Sequence, residues 1–214
     1  MTVRLTFVCT PAVDAALDAA FGDGPVDERG LHAAGASGAA LPPHALALRA
    51  PSARCAQTAR ALGLVTRPEL ALRDVDYGTW RGRKVREIAD TDPYGLSTWL
   101  TDPDAAPHGG ETVRGLCERV ADWLSSLPSD TGRVLAVAEP AVVRAALVHA
   151  LSLPARAFWH VDVQPLSAVT LTSRRDGGWD VQLDRVPLSS HPGLDTVEHI
   201  DIGRKTEPRL LRVR

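Results

Sequence analysis

The chain has 214 residues, 44% of them hydrophobic, and a formal net charge of −2. That is enough apolar material for one substantial domain. A charge so near zero gives no sequence-wide case for nucleic acid or an anionic membrane surface as a partner.

In chain order, VRLTFVC (3–9) predicts a buried strand, and AVDAALDAAFG a helix ending at Gly22 or Gly24. VDERGLHAAGASGAAL predicts a second helix, HALALRA (44–50) a short strand, and SARCAQTARALGL the helix after it. PELALRDVDYG reads as a strand running into a turn. The segment 81–106, with Pro93 and Pro103, reads as an insertion of short helices. GETVRGLCERVADWLSSL is the clearest helix, with Val113, Leu116, Val120, Trp123 and Leu124 on one face. RVLAVA (133–138) is a buried strand and PAVVRAALVHALSL a helix opened by Pro140. SAVTLTSR and WDVQLDRVP form a final strand pair across Asp176-Gly177-Gly178. Strands alternating with helices predict an α/β domain, a three-layer sandwich with a mainly parallel central sheet. The domain is placed at 1–187. The C-terminal extension, 188–214, is rich in basic residues at its end and reads as a solvated or packed arm.

Three cysteines, Cys9, Cys55 and Cys117, are odd in number and widely spaced, which favours reduced thiols in a cytoplasmic protein over disulfides or a metal site. No apolar run approaches the ~18 residues of a membrane span, and the first residues lack the layout of a signal peptide. No cofactor or metal motif is evident. The expected partner is a small-molecule ligand, with no nucleic acid and no membrane, and a homodimer is left open.

Several segments, in order, resemble the histidine phosphatase superfamily, the phosphoglycerate mutase-like proteins. PSARCAQTARAL is similar to the family's phosphate-binding helix start, with Arg54 on its arginine. LRDVDYGTWRG is similar to Leu-x-Glu-x-Asp-Phe-Gly-x-Trp-Glu-Gly, with Asp74 on the glutamate that often donates a proton. HGGETVRGLCERV resembles the Gly-Gly-Glu-Ser motif, with Glu111 on its glutamate. VDERGLHAA and VLAVAEPAVVRAALVHALSLP resemble two further segments, so the likeness runs from residue 3 to about 187. The resemblance implies a histidine phosphatase-like fold. It also places Cys9-Thr10-Pro11 where the family carries Arg-His-Gly with its nucleophilic histidine. Ala138-Glu139-Pro140 falls where a second histidine is usual.

With one arginine set against Asp74, Glu111 and Glu139, the implied pocket is acidic. Unit charges 4 to 5 Å apart interact by roughly 3 to 4 kcal/mol at an effective dielectric of ~20. Prolines at 11 and 140 remove two N–H donors from helix starts where an anion would sit. The expectation is therefore a divergent, non-phosphatase enzyme with carboxylate acid/base chemistry on a small organic metabolite: dehydration, cyclisation, isomerisation or hydrolysis. Glu139 is the expected base, with Asp74 or Glu111 as acid. Arg54, Thr10, Cys9 and His108 are the expected substrate contacts, His108 at the pocket rim. The alternative is a catalytically inactive pseudophosphatase that senses a ligand or docks a partner. A third reading is phosphatase activity through a different nucleophile.

Each candidate also has a structural reading. Thr10-Pro11 fits a helix N-cap and first position, and Cys9 fits a small buried residue. The carboxylates could be remnants paired to Arg54. Trp80, Trp99 and Trp123 suit a core or pocket wall, and Arg119 and Arg144 suit structural ion pairs. His32, His44, His149 and His160 suit surface or capping roles.

Overall fold

The computed structural model describes residues 2–12, 20–22 and 24–184, with Leu183 and Asp184 described by backbone alone. The helix predicted over 12–22 and the 188–214 extension lie largely or wholly outside the described residues.

Six strands form one sheet: β1 (Arg4–Cys9), β2 (Leu46–Arg49), β3 (Arg67–Pro68), β4 (Arg133–Ala138), β5 (Ala168–Ser173) and β6 (Trp179–Asp184). Their order is β3-β2-β4-β1-β5-β6. The pairings from β3 to β1 are parallel, and β5 alone runs against the rest. The sheet is therefore mixed, within the α/β class the sequence predicts.

The helices are α1 (Glu28–Ser37), α2 (Ala53–Ala61), α3 (Val85–Thr91), α4 (Pro93–Thr101), α5 (Val113–Ser126) and α6 (Pro140–Ala150). Side chains written into the sequence start several of them. Asp27 accepts from the Gly30 N–H, Ser52 from that of Cys55, and Thr112 from that of Gly115. Each satisfies a donor the helix cannot.

Right-handed crossovers decide which face each helix covers. The chain moves one way along the sheet from β1 through β2 to β3, which puts α1 and α2 on one face. It returns from β3 to β4 through α5, which covers the other face, and α6 packs on α5. The apolar stripe of α5 is buried as its spacing predicts, and Trp123 meets Phe7 of β1 at 6.3 Å between rings. Helix α6 is buried on almost every side, so it suits a sequence of Ala, Val and Leu with little polar face.

One prediction needs correcting. PELALRDVDYG is not a strand through its length. Only Arg67–Pro68 pairs with β2, and Leu70–Leu72 turn into a 3₁₀ helix. Pro68 donates no ladder bond, and the Glu69 carboxylate accepts from the Ala71 N–H at 3.0 Å, bending the chain away. Among the described residues, no helix is long and apolar enough to cross a membrane.

Candidate active site

The two central strands, β1 and β4, pair in register from Arg4↔Arg133 to Cys9↔Ala138. Their exits, Thr10 and Glu139, are therefore neighbours, joined by the Thr10 N–H bond to the Ala138 carbonyl at 3.1 Å. The connections from these strands leave toward opposite faces, so the gap between their carboxyl ends is the switch point where open α/β sheets bind ligands.

Glu139 is the N-cap residue of α6, and Pro140 its first position. The Glu139 carbonyl receives the Val142 and Val143 N–H groups, but its side chain does not cap the helix. The residue is only 2% exposed, and both carboxylate oxygens are buried with no partner among the described residues. The Thr10 hydroxyl, in a residue 1% exposed, is likewise buried and unpartnered. Unpartnered buried polar atoms are costly and uncommon, and here they converge at one point.

Asp74, carried by the segment after β3, completes the cluster. Its Oδ1 is shielded and unpartnered. Burial, then the nearby Glu139 charge, raises its carboxyl to about 7, against smaller opposing effects of the Val75 N–H, Arg54 and Arg119. A carboxyl that still holds its proton near neutrality, set beside a second carboxyl group, is suited to acid/base work. The same shift ties stability to pH. The folded-state value lies above the unfolded one, so the favourable contribution is present at low pH and is lost as pH rises from about 4 to about 7. The Asp74→Asn variant should therefore lose less stability than wild type between pH 5 and pH 8 in urea melts. The gap should be about 2 to 4 kcal/mol at most; parallel curves would refute the burial of this carboxyl.

Arg54, in the first turn of α2, is buried. Its Nε donates to the Gly24 carbonyl at 3.2 Å and one Nη to that of Gly22 at 3.1 Å. It thus ties Gly22 and Gly24 to the site as well as contributing positive charge.

The expected acid Glu111 and the expected contacts His108 and Cys9 take other places. Glu111 is held by Arg119 in a two-pronged ion pair at 2.8 and 2.7 Å, with Arg73 at 3.5 Å. Arg119 also donates to the Ala71 and Arg73 carbonyls, so Glu111 anchors the segment that carries Asp74. The structural reading holds for Glu111, but with Arg119 as partner rather than Arg54. Arg119→Ala should cost about 3 kcal/mol or more in chemical denaturation, because it strands a largely buried carboxylate. His108 is not at a rim. It is 1% exposed within an aromatic cluster with Trp80 at 5.1 Å, Tyr77 at 6.1 Å and Trp99 at 6.4 Å. Its Nδ1 accepts from the Gly110 N–H, and burial lowers its pKa from the usual histidine value. Cys9 belongs to the hydrophobic core, and burial pushes its thiol up to about 12. A neutral core thiol neither attacks nor binds an anion.

Cys55, Tyr77 and Arg144 were not expected near the site. Burial, then Glu139, raises the Cys55 thiol, and burial, then Asp74, raises the Tyr77 phenol. Arg144 lies close enough to Cys9 and Tyr77 to oppose both shifts, and donates to the Val161 carbonyl at 3.0 Å while its guanidinium stands over Phe158. The one clue in sequence was Tyr77, three residues after Asp74 in the same motif. All three cysteines are free and buried. Among the described residues no group of His, Cys, Asp or Glu is placed to hold a metal ion.

With Glu111 withdrawn to Arg119, Asp74 able to hold a proton and Arg144 close by, the cluster sets two arginines against two carboxyls, one of them protonated part of the time. It is less hostile to an anion than one arginine against three carboxylates. Charge alone therefore does not bar a phosphate from this end of the sheet.

A family model described as the histidine phosphatase superfamily (branch 1) matches residues 20–185. The chain belongs to this superfamily. An adenosylcobalamin/alpha-ribazole phosphatase of Salmonella typhimurium is 29% identical over 96 residues, 44% of this chain and 48% of the relative. The chain thus spans about half the length of the curated Salmonella relatives it matches. A putative alpha-ribazole-5'-P phosphatase from Escherichia coli has a TM-score of 0.74 at 22% identity, over 86% of this chain and 96% of that one. A mycobacterial glucosyl-3-phosphoglycerate phosphatase has a TM-score of 0.69 at 23% identity, over 86% and 98%. These structural likenesses speak for the histidine phosphatase fold. The expectation of non-phosphatase chemistry, and its alternative of an inactive pseudophosphatase, is corrected by these findings: the curated relatives and several of the similar structures are named phosphatases.

Proposed function

We propose that this chain hydrolyses a phosphate monoester of a small metabolite at the carboxyl ends of β1 and β4. The observation that carries the reading is the buried Glu139 carboxylate beside Asp74, whose Oδ1 is shielded and whose carboxyl is raised to about 7. The phosphatase names of its relatives supply the reaction class. The resemblance puts Thr10 and Glu139 where the family's histidines stand, so neither position offers an imidazole to carry the phosphoryl group.

The reaction is then a direct displacement. Glu139 takes a proton from water as its oxygen bonds to phosphorus. The ester P–O bond breaks, and Asp74 gives its proton to the departing alkoxide. The products are the alcohol and orthophosphate. Arg54 supplies fixed positive charge, and the Thr10 hydroxyl is free to donate to a phosphoryl oxygen.

The test is phosphate release from p-nitrophenyl phosphate, alpha-ribazole 5'-phosphate and glucosyl-3-phosphoglycerate, with wild type and the Glu139→Gln and Thr10→Ala variants. Turnover should fall at least about 100-fold in Glu139→Gln and less in Thr10→Ala. No release from any of the three defeats the reading. Phosphate trapped covalently on Thr10 would overturn direct attack by water.

A further inference from the structure

The opposite end of the sheet carries a second concave feature. A cleft of about 220 Å³ opens between the amino ends of β1 and β4 and the loop into β2, lined by Arg4, Thr6, Pro42, Pro43, His44 and Arg133. Arg4 and Arg133 are register partners on neighbouring parallel strands. Strands lie about 4.8 Å apart, so register partners project from the same face side by side. Like charges in that arrangement oppose one another.

Several arginines elsewhere face a carboxylate, as Arg119 faces Glu111, Arg114 Asp104 and Arg174 Asp176. Among the described residues neither Arg4 nor Arg133 has a side-chain hydrogen bond or an ion pair, and none of the described cleft residues is acidic. Thr6 is committed to Thr170 at 3.0 Å. His44 is steadied by a hydrogen bond between its Nδ1 and the Pro42 carbonyl at 3.1 Å, and two successive prolines stiffen that wall.

We infer that this cleft is a binding site for a small phosphate-bearing anion, held by the guanidinium groups of Arg4 and Arg133 with His44 at its edge. Two adjacent arginines match a dianion, and guanidinium groups meet phosphate oxygens in pairs. The volume is below the roughly 300 to 1,000 Å³ of drug-sized sites, so the ligand is no larger than a phosphate group with a short carbon chain. A six-residue strand spans about 17 Å, which separates this cleft from the Asp74–Glu139 cluster. The two sites can be occupied independently, and the inference does not rest on the proposed reaction.

The experiment is calorimetric titration of the intact chain with inorganic phosphate and with glycerol 3-phosphate, at constant ionic strength. Amide NMR would follow the same titrations in wild type and in the Arg4→Gln/Arg133→Gln double variant. Phosphate should shift amides of residues 4–6, 44–46 and 132–134, and the double variant should bind at least tenfold more weakly while melting like wild type. Equal affinity for both ligands would assign the site to the phosphate ion, and tighter glycerol 3-phosphate to an organic phosphate; either supports the inference. Shifts confined to residues around 10 and 139, unchanged binding in the double variant, or no binding would each overturn it.

Discussion

Replacing Asp74 by asparagine is expected to lower kcat for phosphate monoester hydrolysis by about 10²- to 10⁴-fold and to remove the alkaline limb of the pH profile. An acid must hold its proton to give it away. With the Asp74 carboxyl raised to about 7, wild-type kcat should fall as pH climbs past neutrality, because the folded enzyme then carries the carboxylate. Asparagine neither gains nor loses a proton in this range, so the residual rate of the variant should lack that fall. The Asp74→Glu variant keeps the acid and should recover part of the rate. An Asp74→Asn enzyme with near-normal kcat and an unchanged alkaline limb would remove Asp74 from the chemistry.

The second large effect concerns two glycines that place Asp74. The turn after it and the loop before α5 lie back to back, joined by the Glu111 N–H to the Asp76 carbonyl at 2.8 Å and the Thr79 N–H to the His108 carbonyl at 2.9 Å. A Cβ on Gly110 would run into the Asp76 carbonyl, and one on Gly78 into that of His108. Gly78 also holds φ at +44°, which favours glycine. These are backbone obstacles, so no rotamer change relieves them. Gly110→Ala and Gly78→Ala should each cost about 3 kcal/mol or more, read as a lower denaturation midpoint. Because the clamp carries the Asp74 segment, a variant that still folds should also lose activity. A midpoint within experimental error of wild type would show that the two loops separate easily.

Much of the fold was legible because buried strands and helices here are marked by unbroken apolar runs and firm caps. RVLAVA followed by Glu-Pro could scarcely be anything but a strand entering a helix. PELALRDVDYG misled because its alternating Leu70 and Leu72 mimic a strand, while the opposing signals, Pro68 and the Glu69 side chain, act through single local bonds. In the site, Asp74 and Glu139 could be placed by motif and by strand end. Glu111 could be placed too, but not its loyalty: Arg119 captures it from two turns into α5, and a motif does not say which of two arginines a carboxylate will face. His108 was misplaced because Tyr77, Trp80 and Trp99 come from other segments, and nothing local to Pro107-His108-Gly109 announces them. The cleft at Arg4 and Arg133 was invisible without the register.

The pairing of residues 4–9 with residues 133–138 also constrains how the protein is made. The middle of the sheet joins segments more than a hundred residues apart, so the entropy of closing that loop is met before the central ladder gives anything back. A chain growing from its N-terminus holds β1 in waiting, apolar and without its β4 neighbour, until residue 138 has emerged. Folding should be slow for a domain of this size, with β1 the segment most exposed to mispairing in the interval. A nascent chain halted before residue 133 should bind chaperones and resist no protease, and one released past residue 184 should do the reverse.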